Sequence, residues 1–222
     1  MRRADRYQQL MKIARQLVAQ EGGDALTMTA LAELAGVAKP VVYSHFGNSS
    51  EVILELLDTH FEQLTLSVSE KVRDAETLED YVSRLVDASF DFENASDLPI
   101  RKITNGFSSD QLVNEAYLRH EEEFVNHWAQ LLRACGAGRG EVELAAYAIS
   151  SMVSNTIYTY ALKPRQKYAR ATMKKLLLCL IEAVAVDARE KFKPKLLKLN
   201  AASSTGAQPD ESAERPKARA KA

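Results

Sequence analysis

Apolar residues recur along this chain at the three- and four-residue spacing of amphipathic helices, and no long segment alternates apolar and polar positions. The first apolar series runs from Leu10 to Val18. It stops at Gly22 and Gly23, as expected at a helix C-terminus, because glycine accepts the left-handed conformation there. Glycine and proline are few, at 9 and 6 residues, which also favours long helices. The pattern predicts an all-α fold.

Two short helices are predicted after this first one. The earlier runs from Met28 to Ala35 with Thr27 as its N-cap, and Gly36 ends it. The later runs from about 40 to 46, with Lys39 at its boundary. Two short helices joined by a glycine-containing turn are typical of a helix-turn-helix, whose second helix enters the major groove of DNA. The small core expected beneath them consists of Leu31, Leu34, Ala35, Val37, Val42 and Phe46.

Longer helices are predicted over most of the remaining chain. Their approximate ranges are 48–68, a helix opening at 77, a short helix after 97–99, 110–135, 141–162 and 166–192. Residues 200–222 contain no large apolar side chain, and such a segment cannot bury enough surface to offset its ordering entropy. We therefore predict a helix-turn-helix domain over 1–50, a larger helical domain over 51–198 and a disordered tail over 199–222.

Composition and charge narrow the class of protein. The 222 residues carry a net charge of -1, which argues against a histone-like basic protein. The two cysteines, Cys135 and Cys179, are too few for a disulfide framework or a four-cysteine zinc site, and they suit a reducing cytoplasm. The longest apolar run, 176–181, is too short to cross a membrane, and the first residues do not read as a secretory signal. We expect a cytoplasmic protein that makes no membrane contact.

The segment TMTALAELAGVAKPVVYSHFGNSSEVILELL resembles the TetR family of bacterial regulators. The likeness covers roughly 14–57 and is carried by Thr27, Leu31-Ala32, Ala35-Gly36-Val37, Tyr43, His45-Phe46 and the apolar start of the next helix. It implies a homodimeric transcriptional regulator that binds double-stranded DNA and whose larger domain binds an unknown small-molecule effector. Three positions depart from the family pattern: Ala38 replaces a serine cap, Pro40 a small residue and Ser50 a lysine near a phosphate.

Candidate DNA contacts follow from the chemistry of the helix-turn-helix. A helix N-terminus capped by Thr27 attracts phosphate, and Lys39 lies at the end of the second helix that usually meets the bases. Val41 is positioned to contact thymine methyl groups. A basic N-terminal arm that includes Arg2 is expected to neutralise phosphates or to enter a minor groove. The candidates are Arg3, Arg6, Thr27, Thr29, Lys39, Pro40, Val41, Tyr43, Ser44, His45 and, as a weaker hydrogen-bond donor, Ser50.

Two sets of residues are assigned to the larger domain. By resemblance, the effector pocket is expected to be lined by Phe90, Phe107, Tyr117, Trp128, Asn155 and Tyr158, although an aromatic residue at helical spacing is more often core. The last two helices carry more apolar surface than one-sided packing needs, which indicates a four-helix interface between two subunits on a palindromic operator. The interface candidates are Ile149, Met152, Val153, Leu177, Leu180, Ile181 and Val184.

Other functions remain open alternatives. His120, Glu123 and His127 share one helix face and could bind a metal, but an ordinary polar face is the preferred interpretation, so no metal or cofactor is predicted. No catalytic set of side chains is evident, and an enzyme is not expected. The alternatives are an effector-independent regulator, an activator, or an all-helical ligand-binding protein that does not use DNA. Residues 1–50 carry a net charge of +2, so weak non-specific DNA binding is expected.

Overall fold

The computed structural model describes residues 2–107 and 109–193, and the regular elements in these ranges are all helices, which confirms the all-α prediction. The predicted tail over 199–222 lies outside the described residues. In the described part of the chain, no helix is long and apolar enough to cross a membrane. The helices are α1 (Arg3–Glu21), α2 (Met28–Ala35), α3 (Lys39–Tyr43), α4 (Ser49–Val72), α5 (Leu78–Ala95), α6 (Ile100–Thr104), α7 (Gln111–Ala134), α8 (Arg139–Tyr160), α9 (Gln166–Val184) and α10 (Ala188–Lys191).

Local capping sets the boundaries of the first helices as predicted. The Thr27 hydroxyl accepts a hydrogen bond from the Ala30 amide at 3.0 Å, which caps α2. Gly36 ends α2 with φ 64°, a left-handed conformation that glycine adopts without strain. Helix α3 is shorter than predicted and ends at Tyr43. The chain then turns at once so that Asn48 can cap α4 through a 2.9 Å hydrogen bond from the Glu51 amide.

The predicted last helix is broken. Helix α9 ends at Val184, and α10 begins only at Ala188, after Asp187 in the left-handed region at φ 64°. Aspartate is one of the few non-glycine residues enriched in that region. The turn carries the chain back against α5, where the Phe192 ring lies 5.5 Å from that of Tyr81.

Two apolar cores occupy the molecule. The first lies under α1, α2 and α3 and continues into the first half of α4, α6 and the start of α7. The second joins the rest of α4 and α7 to α5, α8, α9 and α10. Leu34 does not belong to the first core as predicted: it is 59% exposed, because it lies beside the face of α2 that buries Leu31 and Ala32. Helices α4 and α7 therefore contribute to both cores.

Candidate nucleic-acid interface and internal cavity

Helix α3 presents a polar face outward from a buried anchor. Val42 is fully buried, whereas Tyr43 is 55% exposed and Lys39, Pro40 and Ser44 are also exposed. Val41 is half-buried at the edge of this face. The face carries an ammonium group, two hydroxyls and a small apolar surface, which are the groups expected to meet phosphates and base edges.

The N-terminal turn of α1 braces the end of α3. The Arg3 guanidinium donates a 3.4 Å hydrogen bond to the Ser44 carbonyl, and the Arg6 guanidinium donates one of 2.6 Å to Gln9. Arg3 and Arg6 both lie inside α1, so the predicted basic arm is helical from Arg3 onward. Helix formation starts at Arg3 because Asp5 stabilises the first turn and forms an ion pair with Arg2. The two arginines nevertheless keep positive charge beside α3.

The N-terminus of α2 adds two threonines to the interface. The Thr27 side chain is exposed while its oxygen caps the helix, and Thr29 is half-buried. Thr27 is the better placed of the two for a phosphate, because exposed amides at a helix N-terminus attract anions.

Ser50 is not available for the predicted phosphate contact. Its side chain is buried, and its hydroxyl donates a 2.5 Å hydrogen bond to Asp110. The same carboxylate caps α7 by accepting from the Val113 amide at 3.1 Å, and these hydrogen bonds hold the pKa of Asp110 below its usual value. Ser50 therefore ties the start of α4 to the start of α7.

His45 is half-buried at the flank of α3, against the rings of Tyr7 and Phe46. Desolvation lowers its pKa first, and the positive charges of Arg3 and Arg6 lower it further. The imidazole is therefore neutral at pH 7 and contributes a hydrogen-bonding group to this surface rather than a charge.

An internal cavity of about 80 Å³ lies between α4, α5, α7 and α8. Of the six predicted pocket residues, Tyr117, Trp128 and Tyr158 line it. Phe107 and Asn155 line an adjoining open groove of about 360 Å³ instead. Phe90 lines neither space: it is fully buried in the core, with the Arg170 guanidinium 5.0 Å from its ring centre, so its assignment to the pocket is wrong.

The cavity wall contains polar groups that sequence reasoning missed. His60 Nε2 lies 2.7 Å from Glu93 Oε1, and both side chains are buried. The only sequence signal for this pair is that His60 interrupts the apolar stripe of α4. The hydroxyl of Ser150 is buried beside the cavity and has no hydrogen-bond partner among the described residues. Such a group is available to a ligand that enters the cavity.

The histidines of α7 face different partners. His120 Nε2 lies 2.7 Å from Asp58 of α4, with Glu123 3.5 Å from its other nitrogen. His127 Nε2 lies 2.9 Å from the Tyr81 hydroxyl, and burial lowers the pKa of His127 to about 4. Within residues 2–107 and 109–193, no group of three or more His, Cys, Asp or Glu side chains is arranged to hold a metal.

The interface candidates on α8 and α9 divide into two groups. Ile149, Val153, Leu177 and Ile181 are at most 7% exposed and pack within the chain's own core, so they do not face a second subunit. Met152 and Val184 are half-buried, and Leu180 is exposed. The apolar pattern therefore selected mainly the inward faces of these helices. Their outward faces carry Leu144, Tyr147 and Leu176, which were not among the candidates, together with Leu180, which was.

Helix α6 connects the cavity to the helix-turn-helix. Ile100 lines the cavity, and two residues later the Lys102 amine donates to the Ala19 carbonyl of α1. Just beyond α6, the Asn105 side chain donates a 3.0 Å hydrogen bond to Asp24. Helix α6 and the residue that follows it therefore join the cavity wall to α1 and to the turn after α1 through direct hydrogen bonds.

Comparisons with known proteins agree with this geometry. Residues 10–56 match the family model described as bacterial regulatory proteins, tetR family. The chain is 33% identical over 90 residues to FasR, an HTH-type transcriptional activator of Mycolicibacterium smegmatis, and the match spans 40% of this chain and 41% of that protein. The aligned segment is thus less than half the length of that relative.

Solved structures extend the likeness to the whole fold. A TetR-family transcriptional regulator from Streptomyces coelicolor matches with a TM-score of 0.65 at 15% identity, over 82% of this chain and 97% of the other. FadR from Bacillus subtilis, solved in complex with stearoyl-CoA, matches with a TM-score of 0.55 at 18% identity, over 82% and 98%. Residues 10–56 are therefore a helix-turn-helix of the type found in bacterial regulatory proteins of the tetR family, and the helices around them share the fold of that solved TetR-family regulator.

Proposed function

We propose that this regulator is a cytoplasmic homodimeric repressor that leaves a palindromic operator when a small molecule fills its internal cavity. The observation that carries the proposal is that α4 and α6 each contribute to the cavity wall and to the core of the helix-turn-helix. A ligand that fits the cavity better in one arrangement of these helices shifts the equilibrium between two arrangements of the DNA-binding surface. No catalytic activity is part of the proposal.

DNA recognition is assigned to the outward face of α3. Lys39 and Tyr43 are the exposed polar side chains nearest its two ends and are suited to phosphate or base contacts. Val41 offers an apolar edge to thymine methyl groups. Two copies of this short helix, related by a two-fold axis, would read two half-sites separated by about one DNA turn.

Dimerisation is assigned to the outward faces of α8 and α9. Leu144 is 76% exposed and Tyr147 is 63% exposed on α8, and Leu176 is 47% exposed on α9. A groove between the two helices, lined by residues that include Met152 and Tyr168, adjoins these side chains. Large apolar side chains on neighbouring helices form a continuous surface, which a second copy of the same helices would cover in a four-helix arrangement.

DNA binding is tested by fluorescence polarisation with DNA from upstream of the protein's own gene, over a series of salt concentrations. A specific complex is expected whose affinity falls steeply with salt. We expect Lys39→Ala to weaken it about tenfold and to reduce the salt slope by about one. Lys71→Ala is the matched control, because Lys71 is also exposed but lies in the last turn of α4, away from α3.

The proposal fails if the wild-type protein binds promoter DNA no better than unrelated DNA, or if the two lysine variants behave alike. Activation is a second candidate, favoured by the activator FasR among the similar proteins. Transcription from the bound promoter in vitro distinguishes the two, since a repressor lowers the transcript yield and an activator raises it. Either change in transcript yield is compatible with the assignment of DNA recognition to α3.

A further inference from the structure

The cavity and its neighbouring groove form one site with two compartments. Tyr117, Ser154 and Tyr158 line both spaces, so they mark the passage between them. The inner space is small, about 80 Å³, and its wall is mainly aliphatic and aromatic. The outer groove is open to solvent and holds about 360 Å³. A ligand that occupies both compartments must be elongated and narrow at the passage.

The two compartments differ in charge. Glu93 and Glu121 line the inner space, so an anionic group placed there would face two carboxyl groups in a poorly solvated environment. Among the described residues that line the outer groove, Arg101 is the one charged side chain. The chemistry of the site therefore favours an apolar group inside and a negative group outside.

Arg101 is positioned to receive that negative group. Its guanidinium carbon lies 5.0 Å from the centre of the Tyr158 ring at the passage, and its side chain is exposed. In the described part of the chain, no carboxylate forms a salt bridge with it. A planar guanidinium held over an aromatic ring keeps its edge available for a carboxylate or phosphate.

On the basis of the effector role proposed above, we propose that the ligand is an elongated amphipathic anion. Its unbranched apolar chain lies in the inner cavity, and its carboxylate or phosphate lies on Arg101. Because the inner volume is far below the about 300–1,000 Å³ of pockets for drug-sized molecules, it suits a short single chain rather than a fused ring system. Because Arg101 precedes Lys102, which bonds to α1, the head group acts directly on α6.

The single tryptophan of the chain, Trp128, lines the inner cavity and reports its occupancy by fluorescence. The probes are octanoate, octanoyl-CoA, octan-1-ol and octyltrimethylammonium, each titrated into the full chain below its solubility limit and, for the ionic probes, below its micelle concentration. We expect at least one of the anions to bind about tenfold more tightly than the alcohol and the ammonium compound. The two anions distinguish a free carboxylate from a phosphate-bearing conjugate as the source of the head group.

Arg101→Gln is expected to remove this tenfold preference while leaving the affinity for octan-1-ol unchanged. The control is Lys163→Gln, because Lys163 also stacks a cation on a tyrosine, 5.1 Å from the Tyr160 ring centre, but lies outside the groove. The inference is overturned if the alcohol or the ammonium compound binds as well as both anions, if none of the probes binds, or if the two variants have the same effect.

DNA binding measured without any probe separates this inference from the proposed function. If wild-type protein binds promoter DNA but the Trp128 titrations show no preference for anions, the proposed ligand class is wrong and the proposed DNA-binding function is retained. If DNA binding is absent while the anion preference and its loss in Arg101→Gln are present, the proposed function fails and the ligand site stands.

Discussion

We expect His45 to couple DNA binding to pH, because its side chain lies beside α3. Burial and the charges of Arg3 and Arg6 hold its pKa below the usual value in the free protein, whereas a nearby DNA phosphate would stabilise the charged ring and raise the pKa. Binding then takes up a proton, so DNA affinity should increase as the pH falls from about 7.5 to about 5.5. The expected gain is several-fold per unit of pH, measured by polarisation at constant ionic strength.

The matched variant is His45→Gln, which keeps a hydrogen-bonding group but does not titrate. It should bind DNA with an affinity that is nearly independent of pH in the same window. The chain has three other histidines, His60, His120 and His127, which are buried away from α3. They are present in both proteins, so any pH dependence of DNA affinity that they cause is the same in wild type and variant. An unchanged pH slope in His45→Gln would show that the proton is taken up elsewhere.

At the scale of the element, the ends of a helix were predictable from the sequence where the residues that set them lie within one turn of the helix end. The start and end of α2 were predictable because a threonine cap and a left-handed glycine act within one helical turn. The break before α10 was not, since nothing in the neighbouring sequence marks Asp187, and the turn there accompanies packing of Phe192 on α5. On the outward faces of α8 and α9 only Leu180 was predicted among the exposed large apolar side chains, because both sides of these helices carry apolar residues.

The contribution of the left-handed conformation at Gly36 to stability can be measured. An added methyl group would meet no atom within 4 Å at Gly36 or at Gly140, but only Gly36 has a positive φ, of 64°. Gly36→Ala should therefore lower the free energy of unfolding by about 1 kcal/mol through backbone strain alone. Gly140→Ala, in the first turn of α8, should raise it by roughly 0.5–1 kcal/mol. Thermal unfolding of both variants measures the difference, and equal shifts would contradict the backbone explanation.

At the scale of the whole molecule, the helix-turn-helix was predictable from the sequence pattern and the cavity from the resemblance to a known family, but the polar groups in the cavity wall were not predictable from either. His60 and Glu93 lie on different helices, and only the packing of α4 against α5 brings their side chains to 2.7 Å. Ser50 illustrates the same limit in reverse: its local sequence suggested a phosphate contact, but a residue sixty positions away takes its hydroxyl. Long-range pairing of this kind leaves no spacing signal along the chain.

The assembly itself is tested by one charge placed on the outward face of α9. Leu180 is 38% exposed there, and a glutamate at this position costs little within one subunit but would be buried against its partner in the proposed dimer. We expect Leu180→Glu to convert a dimer to a monomer in light scattering and to weaken operator binding at least tenfold, since two half-sites are no longer held together. Leu118→Glu is the control, because Leu118 is 65% exposed on α7 and outside that face. A dimer that survives Leu180→Glu would place the subunit contact on another surface and leave the exposed leucines of α8 and α9 to a different partner.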